Sequence, residues 1–461
     1  MAARGGFSSR LGFIAAAAGS AVGLGNIWKF PFEVGDGGGA AFVVIYLLFC
    51  FILCFPVMVT EVAIGRKTQK NAVGAFNALG FKRWNVVGKL GILSGVIILS
   101  FYNVVAGWAF GYFIEMVLGH FDIGQRFGEF TADFIKVGAY SILFMLATSY
   151  IVSRGVSGGI EKASKILMPA LILMILSLVV YSFTLPNAMA GVEFYLVPDF
   201  SKINLAVISG ALRQSFFSLS LGMGALITYG SYLSKKENIV SSSALITLAD
   251  VGMAFLAGLM IFPFVAFNSG GDMSNASGGA GLIFVNLPGV FETLGGAGVV
   301  IGSLFFLLLS FAALTSTVSL LEVPVSYVVD EYKMKRSKAT MIVAFIIFLI
   351  GIPSLLANGA SDLFGRFVTY FNANSPTDFM TFAGHIADTF LVLGGSLIVI
   401  FAAYVWKTKN LEQELSEGYS GFSNSFVKKY LRFTISYLSP VLLILLFVLV
   451  VLSNFFGINI G

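Results

Sequence analysis

Gly19-Ser20-Ala21-Val22-Gly23-Leu24-Gly25-Asn26-Ile27-Trp28-Lys29-Phe30-Pro31 lies inside an apolar run of membrane-spanning length, yet it holds three glycines, an asparagine, a lysine and a proline. A helix built only to cross lipid would avoid them. Glycine and proline release backbone amides and carbonyls from the helical ladder, and in hydrocarbon such groups persist only where they face protein, water or a ligand. The stretch therefore reads as a broken helix with a binding site at its break.

The rest of the chain sets the class. Its 461 residues are 57% hydrophobic and 11% charged, with a mean hydropathy of +0.91, which describes a polytopic membrane protein rather than a soluble globule. His120 and His385 are the only histidines, so histidine-centred catalysis and a zinc site have little material. Cys50 and Cys54 fall four apart in one apolar run and read as small packing residues. Leu11 to Leu24 could mimic a signal peptide, but its glycines, Asn26 and Lys29 argue against removal. No aromatic and basic interleaving outside the apolar runs points to nucleic acid.

Apolar runs predict eleven spans, near 11–34, 40–64, 89–118, 137–153, 166–185, 204–233, 239–267, 299–328, 339–357, 387–406 and 430–455. A cytoplasmic N-terminus puts Arg4, Arg10 and the basic clusters around 66–70, 82–89, 154–165, 235–236, 333–338, 407–409 and 428–432 inside, leaving six of the 28 Lys and Arg elsewhere. The expected location is the cell's plasma (inner) membrane, crossed many times.

The sixth span repeats the anomaly of the first. Ser218-Leu219-Ser220-Leu221-Gly222-Met223-Gly224 again sets small and polar residues at mid-membrane. Two broken helices five spans apart imply an inverted repeat: residues 1–185 as the first half (helices 1–5), 186–406 as the second (helices 6–10), and 407–461 as a cytoplasmic loop with helix 11. The fold class is thus an all-α polytopic membrane protein with eleven transmembrane helices.

With these breaks, Phe101-Tyr102-Asn103-Val104, Phe217-Ser218-Leu219-Ser220-Leu221-Gly222 and Ala312-Ala313-Leu314-Thr315-Ser316 resemble the neurotransmitter:sodium symporter family, in its bacterial eleven-helix branch. Half-helix amino ends, carrying roughly +0.5 charge, suit a carboxylate, and unwound carbonyls suit sodium. The resemblance implies two sodium ions. The first would use Ala21, Asn26, Ser218 and Asp250 with the substrate carboxylate, and the second Gly19, Val22, Ala312, Thr315 and Ser316. It places the substrate carboxylate at the amides of Leu24 and Gly25 and at the Tyr102 hydroxyl, and the ammonium at the carbonyls of Ala21, Phe217 and Ser218, with Ser220 nearby. Ile98, Tyr102, Phe217, Met223, Ser316 and Leu320 would line an apolar side-chain pocket. Monoamine-transporting relatives carry aspartate where Gly23 stands, so an amino acid with its own carboxylate is expected.

The resemblance also addresses charge and gating. Chloride-dependent relatives have asparagine and a nearby serine where this chain has Asp250 and Ala254, so no chloride is expected; a buried acid beside cations also suggests proton countertransport through Asp250. Arg4 and Asp330 match a cytoplasmic gate pair, with Phe7, Ser231 and Tyr232 around it. Outside, Lys29 replaces the usual arginine and the matching acid falls at Gly384, with Asp388 one turn on, leaving that pair open. Gly159 and Pro169 match a pattern of unwinding in the fifth span, Glu61 reads as structural, and Glu115 and Glu322 stay unassigned.

The resulting expectation is a sodium-coupled secondary-active symporter of hydrophobic or aromatic L-amino acids, working by alternating access. A substrate-gated channel or pore is the competing reading. An enzyme is not expected, since no catalytic constellation of nucleophile, histidine and acid appears.

Overall fold

The computed structural model describes residues 5–274, 281–371 and 375–458. Among these, nine continuous helices are long and apolar enough to cross a membrane: Ala40–Thr68, Lys82–Val117, Phe134–Ser153, Val156–Ser182, Ile239–Asn268, Gly296–Tyr332, Arg336–Leu356, Phe379–Val405 and Phe426–Phe456. Arg10–Ala21 and Gly25–Asp36 make a tenth span, bent by 49° at its break. The expected eleventh, at 204–233, does not reach membrane length as one helix. It is divided into Leu205–Ser218 and Ala225–Gly230, because the residues between them leave helical geometry.

The local chemistry explains both breaks. Val22 takes an extended conformation after Ala21, and the chain restarts at Gly25 in a π-helical turn, a geometry frequent at functional sites. In the sixth span Ser220, Gly222 and Gly224 have φ of 54°, 81° and 73°. Gly222 has no alternative there. Its left-handed backbone would strain an L side chain, and a Cβ would overlap the Leu391 carbonyl oxygen. Its N–H donates to Glu61 Oε1 at 2.8 Å, so the buried glutamate of the second span holds the second break open.

Close approach of backbones locks the C-terminal half of the sixth span to the second. A Cβ on Gly65 would overlap the Ile227 carbonyl oxygen, and one on Gly230 would lie 2.5 Å from that of Val62, the small-residue packing that lets membrane helices touch without a hydrophobic driving force. At the other end of the bundle, Trp108, Tyr112, Phe127, Phe130, Phe284 and Phe306 interlock through edge-to-face, tilted and stacked contacts, with Tyr112 and Phe306 centroids 4.9 Å apart. Trp28 joins them through Phe284 at 5.8 Å, which fastens the C-terminal half of the first span to this cluster.

The Gly65 contact supplies a test of the packing. Gly65→Ala should cost about 1–3 kcal/mol through overpacking, read as a lower unfolding temperature in detergent, whereas Gly5→Ala, with open space around it, should change nothing. Equal melting of the two variants would refute the close-packed seam.

Candidate functional site

The breaks face each other across a narrow cavity. Ser20, Ala21, Gly23 and Gly25 come from the first span, Ile98 and Tyr102 from the third, Phe217, Ser218, Ser220 and Met223 from the sixth, and Ser316 and Leu320 from the eighth. Ten of the eleven residues expected around the substrate line it. Leu24 alone does not, and its N–H donates to Tyr102 Oη at 2.9 Å. Ser220, held at positive φ, donates its hydroxyl to the Ser20 carbonyl at 2.9 Å, so it staples the two breaks together.

Asn26, Ser218 and Asp250, three of the expected first-sodium residues, form one buried network. Asn26 Nδ2 donates to Asp250 Oδ1 at 2.7 Å, to the Asp250 carbonyl at 3.0 Å and to Ser218 Oγ at 3.1 Å, while Ser218 Oγ donates to Asp250 Oδ2 at 2.9 Å. Asn26 Oδ1 meanwhile accepts the Gly23 N–H at 3.0 Å. Asn26 and Asp250 are fully buried, and no Lys, Arg or His pairs with Asp250 among the described residues. A carboxylate so placed, ringed by neutral oxygen-bearing groups, is a fitting ligand for a hard monovalent cation.

The second expected sodium set converges as well. Thr315 Oγ1 lies 3.2 Å from the Val22 carbonyl and 2.9 Å from that of Ala312, and a Cβ on Gly19 would sit 3.3 Å from Thr315 Cβ. Ser316, expected in both the ion set and the pocket, lines the cavity. A Cβ on Gly23 would overlap Ser316 Oγ and come within 2.9 Å of Tyr102 Oη, so the glycine keeps this end of the cavity open.

Outside the cavity, Lys29 Nζ stands 4.4 Å from the centre of the Phe217 ring, a cation–π contact. It makes no ion pair with Asp388. A pairing that sequence reasoning missed lies one helical turn further out on both elements: Arg213 and Glu33 approach to 3.9 Å. Their i−4 and i+4 spacing from Phe217 and Lys29 was the available signal.

On the opposite side Arg4 lies outside the described residues. Phe7 packs its ring against Phe13, Tyr229 and Tyr232, at 5.6, 5.8 and 6.2 Å, and Ser231 Oγ turns back to the Thr228 carbonyl at 2.6 Å. Asp330 accepts from the Asn71 backbone and side-chain amides, each at 3.2 Å. Glu322, unassigned from sequence, joins this region: it accepts the Tyr232 hydroxyl at 2.6 Å and pairs with Arg336. Glu161 was also missed. At the π-helical start of the fifth span, its carboxylate accepts the Ser8 N–H at 2.7 Å, the Ser8 hydroxyl at 2.6 Å and Lys165 Nζ at 2.6 Å, tying the N-terminal segment to the element that contains Gly159. An acid interrupting an apolar run was the signal for Glu322; nothing in sequence linked Glu161 to Ser8.

Comparison with known proteins agrees with this architecture. The profile of the Sodium:neurotransmitter symporter family matches residues 4–123 and 125–456. The uncharacterized sodium-dependent transporter YhdH of Bacillus subtilis is 37% identical over 426 residues, covering 89% of this chain and 90% of its own. An uncharacterized sodium-dependent transporter of Haemophilus influenzae is 34% identical over 98% of both chains. The crystal structure of MhsT in complex with L-phenylalanine superposes with a TM-score of 0.86 at 40% identity, covering 96% of this chain and 99% of that one. Matched along nearly its whole length, this chain belongs to the sodium:neurotransmitter symporter family, whose members are transporters rather than enzymes.

Proposed function

We propose that the protein is a sodium-coupled symporter of hydrophobic or aromatic L-amino acids that works by alternating access. The observation that carries this is the cavity between the breaks, where Ile98, Phe217, Met223 and Leu320 supply apolar walls beside the Tyr102 hydroxyl and the free end at Gly23. A carboxylate would lie toward Tyr102 and the Gly25 amide, and the side chain toward the apolar wall. The phenylalanine held by MhsT, a structural neighbour at 40% identity, supports a ligand of this size and class. Met223 suits a range of side chains because its thioether torsions adapt.

Two sodium ions fit the two oxygen-rich sets. One would rest among Ala21, Asn26, Ser218 and Asp250, the other among Gly19, Val22, Ala312, Thr315 and Ser316. Asp250 supplies a fixed negative charge beside the first ion, so transport proceeds without chloride. During return a proton takes sodium's place on Asp250. Basic loops favour a cytoplasmic N-terminus in the plasma membrane, and residues 1–185 and 186–406 act as inverted halves whose relative rocking exposes the site to each side in turn. Arg4, Asp330, Phe7, Ser231 and Tyr232 would seal the cytoplasmic side, and Lys29, Phe217 and Asp388 would border the outer path.

Three measurements test these readings. Unlabelled phenylalanine, tryptophan, tyrosine and leucine should displace labelled phenylalanine from purified protein in sodium and fail to matter in choline; displacement led by glycine, proline or glutamate would remove the substrate assignment. Replacing chloride with gluconate should leave uptake unchanged in the wild type, while Asp250→Asn should weaken sodium activation by at least about tenfold, near 1.4 kcal/mol; a chloride requirement in the wild type contradicts the fixed-charge role. Proteoliposomes containing a pH-sensitive dye should report internal proton loss on substrate entry, and an unchanged signal during active uptake eliminates proton countertransport alone.

A further inference from the structure

Cations on the face that carries the end of the second span include a paired group and a cluster of four without ion pairs. The first group is paired. Arg66 is fully buried and donates to Glu414 Oε1 at 2.7 Å and to the Glu237 and Glu417 carbonyls at 2.6 and 3.2 Å. Lys67 lies 3.4 Å from Glu414, and Glu412 takes Arg432 at 2.6 Å and Lys428 at 3.7 Å. Lys82, Arg83, Lys407 and Lys409 form the second group. They are exposed, and among the described residues none makes an ion pair. Neither segment offers these four a local acid, since residues 62–114 and 389–411 contain no Asp or Glu.

Packing brings the four unpaired cations to one place. Phe401, at the end of the tenth span, is surrounded by Phe76, Phe81, Trp84 and Trp406, with centroids 4.9, 5.4, 5.4 and 6.5 Å away. Lys82 and Arg83 immediately precede Trp84; Lys407 immediately follows Trp406, and Lys409 lies two residues on. The aromatic knot thus joins two acid-free segments and sets their charges around its rim. Val86, Leu93 and Tyr404, beside the knot on the same segments, expose 48%, 44% and 57% of their surface, a lipid-facing band that locates the hydrocarbon boundary next to the cations.

We propose that this rim is a binding site for the headgroup of an anionic phospholipid. Apolar surface at the knot's edge holds the upper acyl chains, and the Arg83 guanidinium offers a planar fork to the phosphodiester. The lysines add point charges that a zwitterionic headgroup, with its own cation, cannot satisfy equally. The paired group is unsuited because its charges already meet carboxylates. The site depends on the chain lying in a bilayer, and on neither its substrate nor its orientation.

Native mass spectrometry of protein titrated in detergent with dioleoyl phosphatidylglycerol or dioleoyl phosphatidylcholine tests the site. The wild type should retain the anionic lipid about tenfold better, with the preference shrinking in high salt. Lys82→Gln/Arg83→Gln/Lys407→Gln/Lys409→Gln should reduce it to about twofold, while Lys235→Gln/Lys236→Gln/Lys333→Gln/Lys335→Gln, removing as many cations elsewhere, should keep it. Each half of the first variant, Lys82→Gln/Arg83→Gln and Lys407→Gln/Lys409→Gln, should cause a partial loss, so the test survives misfolding of the fourfold change. Equal retention of the two lipids by the wild type, full retention by the rim variants, or the same loss in the control set overturns the proposal. Sodium-dependent stabilisation by phenylalanine, followed in parallel, reports the transport site separately.

Discussion

A carboxylate buried in a membrane protein must find counter-charge or enough donors to replace its water, and Asp250 is answered by neutral partners. Asn26 in the first break and Ser218 at the second both hydrogen-bond to it. One side chain in the seventh span thus ties together two spans that have each left helical geometry. Hydrogen bonds from neutral groups disperse the negative charge without cancelling it. A small cation among the same oxygens would supply what the protein withholds, and would draw both breaks inward with it.

The same economy runs through the neighbouring contacts. Tyr102 takes a backbone amide that the first break frees, Thr315 reaches the freed Val22 carbonyl, Ser220 bridges to Ser20, and Glu61 holds the Gly222 amide. Each satisfies a group that would otherwise be orphaned in a low-dielectric interior. Away from the cavity the fastening changes character. Charged groups take over at both ends: Glu33 and Arg213 on one side, and Glu322 with Arg336, and Glu161 with Lys165 and Ser8, on the other. Contacts of this kind sit nearer water than the apolar and glycine-packed middle, where backbones touch directly.

Legibility followed sequence distance and chemical cost. The two breaks were plain because glycine, asparagine and serine at mid-membrane carry a penalty that only a site explains. Lys29 was readable as a departure, yet its partner was not: the structure gives it the Phe217 ring instead of Asp388, a contact with no charge pattern to announce it. Glu322 stood out as an acid in an apolar run, but Tyr232 is 90 residues away. Glu161 and Ser8 are separated by 153 residues, and serines near a terminus carry no signal of their own. Even the span at 204–233 was marked by its composition, while the left-handed backbone at Ser220, Gly222 and Gly224 that splits it depends on how closely Leu391 and Glu61 approach.

By itself the sequence determined the solvent, the helical class, the two interruptions and the acid beside them, because hydrocarbon penalises each exposed polar group separately and the cost is local. Tertiary structure alone decided which freed carbonyl met which hydroxyl, that Leu24 gave its amide to Tyr102, and that unpaired cations from two distant segments gathered around Phe401. Those outcomes depend on ångström-scale distances between helices far apart in the chain, set by the fit of glycines and aromatic rings that no local pattern encodes.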